Sequence, residues 1–287
     1  MKPPPLISTV GPVEPALLDA FFTHYQSLGI ERFLIALHFP EPTDPERKAA
    51  LQEVCRKRIG EPEIIVEEPW HENASDPLRD ELRARAGHGW HLLVDADEFQ
   101  NYQRPLSAVI EAAEADRQLV VGGVMIDRVA ADGALTGWSP EVGLDAGYPL
   151  GGFLTAELLG GNARKIVLAH SDVHDVSTGN HRVPGMRPRN KPIVMIHHFK
   201  WRAGVLEYLR KRAEMFASGT WREVAPASRE EAMRLMSHVA ENGGKINVFD
   251  PALPFRRVDL HTVPPWWHDE AQQLRDHWPP RVLRAVR

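Results

Sequence analysis

The chain has 287 residues, enough for one large domain or two modest ones, and its 43% hydrophobic and 25% charged residues are an ordinary globular composition. A net charge of −5 and a pI of about 6.3 give no basic footprint for nucleic acid. The single cysteine, Cys55, excludes an internal disulfide and a thiolate metal cluster. No apolar run approaches membrane-spanning length, and Met1-Lys2-Pro3-Pro4-Pro5 lacks the apolar core of a signal peptide, so no membrane span and a cytoplasmic location are expected.

Leu6 to Val10 reads as a first strand, broken by Gly11-Pro12. Pro15 suits the first position of a helix carrying Leu17, Leu18, Phe21, Phe22, Tyr25 and Leu28 at helical spacing, with Gly29 as its stop. Phe33 to Leu37 is a second strand. Asp44-Pro45-Glu46 then starts a helix that turns Leu51, Val54 and Cys55 inward, which makes Cys55 a packed core thiol. Ile64 to Val66 is a third strand, and Ser75 is expected to cap a helix bearing Leu78 and Leu82. Leu92 to Val94 is a fourth strand. This alternation predicts an α/β fold with a mostly parallel sheet, right-handed crossovers and flanking helices. A helix from Pro105 and a strand from Leu119 to Met125 continue it, although Gly122 and Gly123 interrupt the latter. Residues 127 to 162 lose the pattern and read as binding loops. Ile166 to Leu168 and Ile193 to Phe199 look like strands, and Leu206 to Phe216 and Glu230 to Val239 look helical. No repeat or low-complexity linker divides the chain, so residues 1–250 are expected to form one domain, with a Pro- and Trp-rich extension, 251–287, packing on it.

The fourth strand runs directly into Asp95, Asp97 and Glu98. Carboxylates gathered at a strand end can hold a hard divalent cation, and the ligand crevice of open α/β sheets lies just past the carboxyl ends of the strands. An exposed acidic loop is the plain alternative. Among the later histidines, His170 and His174 follow a strand rather than lie on a helix, which speaks against a metal pair. His197 and His198 are neighbours on one strand, so only one can face a given site. Lys200 and Arg202 follow, and two cations there could meet a diphosphate or simply form a solvated turn. Neither a Gly-x-Ser-x-Gly elbow nor a Gly-x-x-x-x-Gly-Lys loop is present.

Several segments together resemble one enzyme group. Phe21 to Ile30 followed by Phe33-Leu34-Ile35 resembles the opening helix and second strand of family 2-like glycosyltransferases related to family 92, which have the GT-A fold. Leu93-Val94-Asp95-Ala96-Asp97-Glu98-Phe99 is similar to their Asp-x-Asp-Glu-Phe motif. Ile196-His197-His198-Phe199-Lys200-Trp201 resembles their later histidine strand, and Gly179-Asn180-His181 a shorter motif before it. The resemblance covers roughly residues 6 to 215. It implies a Rossmann-like nucleotide-binding half and transfer of a sugar from a nucleotide-diphosphate donor, UDP-sugar favoured, to a saccharide or other hydroxyl acceptor. Mn²⁺ or Mg²⁺ would bind at Asp97, with Asp95 reaching it through water or holding the ribose. It further implies His198, rather than His197, as a metal ligand, and Val10, Asp95, His181, Lys200 and Arg202 around the donor. For an inverting reaction, Asp127, Asp145 and Glu157 are the carboxylates that could take the acceptor proton. The competing class is a metal-dependent phosphate-ester hydrolase with the first aspartate of the motif as nucleophile. Such motifs usually follow the first strand of their sheet, whereas three strands precede this one. A non-catalytic sugar-binding module ranks last.

Overall fold

The β-branched and apolar run at the start of the chain forms β1 (Leu6–Val10), and the residues that follow alternate as the pattern predicts: α1 (Pro15–Ser27), β2 (Phe33–His38), α2 (Pro45–Arg58), β3 (Ile64–Val66), α3 (Ser75–Ala86) and β4 (Trp90–Leu93). These spans come from a computed structural model that describes residues 2–40, 43–71, 73–222 and 227–277. Asp44 caps α2 by accepting from the Arg47 N–H at 3.0 Å. Ser75 is not the cap of α3: it is the first helical residue, and Ala74 precedes it without a side-chain bond. Cys55 is fully buried, and burial pushes its thiol up to about 12.

The second half contains β5 (Glu98–Asn101), α4 (Leu106–Ala115), β6 (Val120–Val129), α5 (Leu144–Gly147), β7 (Leu150–Gly152), α6 (Leu154–Glu157), β8 (Arg164–His170), β9 (Arg189–His198), α7 (Val205–Ala217), α8 (Ala227–Glu241), β10 (Arg256–Arg257) and α9 (Trp267–His277). The stretch expected to be loop from 127 to 162 therefore holds the end of β6, two short helices and β7. Gly122 and Gly123 are compatible with β6 because β9 lies close: a Cβ on Gly123 would stand 2.8 Å from Ile196 Cδ1 and 2.9 Å from the Val194 carbonyl.

The sheet, ten-stranded among the described residues, runs β10-β7-β6-β8-β4-β1-β2-β3, with β9 alongside β6 and β5 alongside β9. Strands β4, β1, β2 and β3 are mutually parallel, as the alternation anticipates. Beyond β4 the sheet is mixed: β8 is antiparallel to both β4 and β6, while β9 is parallel to β6. One face is covered by α1 and α2, with Phe21, Phe22, Tyr25, Leu51 and Phe99 in the larger core; α3 covers the other through Leu78 and Leu82. The described part of the tail lies on the second half. β10 pairs with β7, the Trp267 indole donates to the Ile193 carbonyl at 3.2 Å, and Asn101 Nδ2 donates to the Leu260 carbonyl at 2.9 Å. Among the described residues no helix is long and apolar enough to cross a membrane.

Candidate functional site

Three strands bring the polar cluster together. Antiparallel pairing sets Glu98 of β5 opposite His198 of β9, and parallel pairing sets Asp127 of β6 beside His198 on the other flank. Neighbours in register share a face, so Glu98, His198 and Asp127 line one side of the sheet. His197, paired with Phe99 and Ile126, turns into the core. The turn from Asp95 to Asp97 joins β4 to β5 above this row. It is clamped by the Phe199 N–H donating to the Asp97 carbonyl at 2.8 Å.

Asp127 is fully buried and satisfied from four directions. Oδ1 accepts from His198 Nδ1 at 2.7 Å, Trp201 Nε1 at 2.7 Å and Thr155 Oγ1 at 2.8 Å, and Oδ2 accepts from the Thr155 N–H at 2.6 Å. Burial opposes its charge, but these donors, His198 foremost, hold the carboxyl below its usual range. The bond to Nδ1 aims the other imidazole nitrogen outward, and Nε2 lies 3.8 Å from Asp97 Oδ2. His198 is held above its ordinary value: burial lowers it, and the contact with Asp127 and the charge of Asp97 outweigh burial. His197 accepts from Arg128 Nη1 at 2.8 Å, and burial and that cation drive it well down.

Lys165, at the start of β8, has no place among the residues expected from the sequence. Its side chain is only 4% exposed, and its ammonium donates to Asp95 Oδ2 at 2.6 Å and to the Gly179 carbonyl at 2.6 Å, and pairs with Glu98 Oε1 at 2.7 Å. Burial works against the charge on Lys165, and the two carboxylates more than offset it. Burial likewise opposes ionisation of Asp95, but Lys165 keeps it below its usual range; burial wins at Glu98, which is raised to about 7. Asn180, at φ 56°, adds a donor 3.4 Å from Asp95 Oδ1. The turn bearing Gly179 and Asn180 is fixed by Arg79, whose guanidinium donates to the Val176 carbonyl at 2.6 Å and the Ser177 carbonyl at 3.2 Å.

The other expected residues fall around this centre with differing freedom. His181 lies beside Lys165, its Nδ1 2.8 Å from the Arg164 carbonyl, and burial with that cation lowers it to about 3. Lys200 Nζ stands 5.0 Å over the Trp201 ring. Arg202 Nη2 pairs with Glu14 at 2.6 Å, while its Nη1 is buried without a partner. Val10 is fully buried in the larger core, so its side chain does not line an open crevice; the half-buried residues at the end of β1 are Thr9, whose hydroxyl is itself buried without a partner, and Gly11. Neither Asp127 nor Asp145 presents a free carboxylate for a base. Asp145 accepts from Arg128 Nη2 at 2.7 Å and from the Leu260 N–H at 3.0 Å. Glu157 is exposed on α6.

Asp97 and His198 are the side chains that could hold a divalent cation. Asp97 Oδ2 and His198 Nε2 are an oxygen and a nitrogen 3.8 Å apart, and two donors each about 2.1 Å from one ion lie at most about 4.2 Å apart. The Asp127–His198 bond is the carboxylate support that ligating histidines characteristically have. No group of three or more His, Cys, Asp or Glu side chains placed to hold a metal ion forms among the described residues.

These electrostatics set an expected pH dependence. His24 and His91 are lowered by burial to about 4 and His181 to about 3, so the fold keeps them neutral while the unfolded chain binds their protons below about pH 6.5. From pH 7 to 5 each costs the fold about 2 kcal/mol. Glu98, raised to about 7, binds its proton earlier in the fold and returns about 2 kcal/mol. Urea denaturation is expected to show lower stability at pH 5 than at pH 7, with buried His197 adding to the loss; stability that rises on acidification would contradict this balance.

No family model and no curated protein matches the sequence. Solved structures that align with this chain include UDP-glucose pyrophosphorylase complexed with UDP-glucose (12% identity, 80% of this chain and 87% of that one, TM-score 0.27) and an apo UDP-glucose pyrophosphorylase (11% identity, 81% and 98%, TM-score 0.29). S. aureus TarS 1-349 is a third (12% identity, 82% and 73%, TM-score 0.30). At such TM-scores the functional weight rests on the geometry of the site itself.

Proposed function

We propose that the protein is a glycosyltransferase of the family 2-like, family 92-related type, which takes a UDP-sugar as donor and a hydroxyl group as acceptor and depends on Mn²⁺ or Mg²⁺. The observation that carries this reading is the alignment of Asp97 with an Asp127-anchored His198 at the strand ends of an α/β sheet. A divalent ion held there would neutralise charge that grows on the departing diphosphate. Asp97 and His198 would hold the ion. Asp127 fixes the imidazole by keeping the proton on Nδ1, so that Nε2 offers a lone pair. Asp95, kept ionised by Lys165, has its partly open side chain placed to accept from a ribose hydroxyl. Thr9 and the backbone at Gly11 are assigned to the nucleobase, and Lys200 and the unpartnered Nη1 of Arg202 to the diphosphate.

The hydrolase reading requires Asp95 as a free nucleophile. Lys165 and Asn180 engage that carboxylate, so the geometry favours transfer.

The test is thermal-shift and calorimetric titration with UDP, with and without Mn²⁺, followed by assay of UDP release from UDP-sugars. Binding of UDP that strengthens with Mn²⁺ is the expected result. His198→Ala is expected to weaken metal-dependent binding and turnover on the order of 10–100-fold. His197→Ala is expected to act through stability, because that ring is buried against Arg128. Nucleotide binding indifferent to Mn²⁺, or intact metal dependence in His198→Ala, would overturn the proposal.

A further inference from the structure

The acidic turn holds three carboxylates, and two of them, Asp95 and Glu98, are paired with Lys165, whereas Asp97 is not. Lys165 spends its three N–H donors on Asp95, Glu98 and the Gly179 carbonyl, all at 2.6–2.7 Å. Three oxygens converging on one buried positive centre are what a hard metal ion would otherwise attract. The enclosure is built rather than incidental. The lysine stem is buried within β8, Glu98 is locked in the β5–β9 ribbon, and the Gly179 carbonyl is presented by a turn that Arg79 and a Thr178–Asp76 hydrogen bond of 2.6 Å hold in place.

We infer that Lys165 is a fixed internal cation that withdraws Asp95 and Glu98 from metal ligation, so that the acidic turn takes one divalent ion, at Asp97 and His198, instead of two. Lys165 is thus a positioning residue: it touches neither donor nor acceptor, and it determines which carboxylates remain to do so. The inference rests on the metal reading of Asp97 and His198, but its test separates the two.

Bound Mn²⁺ is counted by calorimetry and by electron paramagnetic resonance of the free ion, in wild type, Asp97→Ala, Lys165→Met and the Lys165→Met/Asp97→Ala pair. The expected counts are one ion in wild type, none in Asp97→Ala, two in Lys165→Met and one in the pair. A folded Lys165→Met that binds the wild-type number of ions overturns the inference, as does a second ion in wild type. No ion in wild type but one in Lys165→Met sustains the internal cation and defeats the Asp97–His198 reading instead. If Lys165→Met does not fold, Lys165→Met/Glu98→Gln decides, since removing one carboxylate relieves a missing cation. Recovery of a cooperative melt supports the inference, and a pair as unstable as the single variant overturns it.

Discussion

Asp97→Ala is expected to lower Mn²⁺-dependent turnover on the order of 10³-fold while leaving the fold in place, an effect of the size seen when a group that stabilises transition-state charge is removed. The two consequences separate because of where Asp97 sits. Its side chain is 26% exposed and Oδ2 lies 3.8 Å from His198 Nε2, whereas its backbone carbonyl, untouched by the substitution, accepts the hydrogen bond from Phe199. Loss of the side chain should therefore cost stability no more than about 1 kcal/mol. Steady-state assays across a Mn²⁺ titration, with a thermal melt of the same sample, are the measurement. Wild-type turnover in Asp97→Ala, or full wild-type activity after exhaustive chelation, would exclude Asp97 as the metal-bearing group.

The second large effect has the opposite character. Asp127→Ala is expected to destabilise the protein by about 3–5 kcal/mol, because it strips the shared acceptor from buried His198, Trp201 and Thr155 donors. For a chain of this size that lowers the melting temperature by roughly 10 °C. Turnover should fall as well, since His198 loses the bond that selects its tautomer. A base role for Asp127 predicts something else: a variant with normal stability and normal metal binding that is slow only in transfer. Measuring melting temperature and Mn²⁺ affinity together discriminates the two.

The sequence disclosed the parts of this site that are contiguous or strictly periodic. Asp95, Asp97 and Glu98 are adjacent, follow an apolar strand and stand where the fold places ligands. Alternation along β9 said that only one of His197 and His198 could face a given site and the resemblance pointed to His198; the pairing sets His198 beside Glu98 and Asp127. What it concealed depends on pairings between distant segments. Lys165 lies one residue before the apolar core of β8, where a cation reads as a solvated strand end; the available signal was that a lysine flanking a buried strand needs carboxylate partners, and two were present. β5 carries Glu98, Gln100 and Asn101, too polar for a strand by pattern, and it exists because β9 pairs with it. Asp127 resembled a free acid because nothing local announces that Thr155 and Trp201 return to it. Asp145 did so because its partners, Arg128 and Leu260, are 17 and 115 residues away.

The attachment of the tail bears on the order in which the molecule can be completed. β9, which carries His198, is backed at Ile193 by Trp267, and Asn101 at the end of β5 is held by Leu260. A ribosome releasing the chain from its N-terminus delivers β1 to β4 early, with local crossovers that close as they emerge. The ribbon that presents His198 lacks its backing until residues 258–277 have been synthesised. Nascent chains stalled at residue 250 would thus display the parallel half already protected from proteolysis, with the β5–β9 ribbon still open to attack.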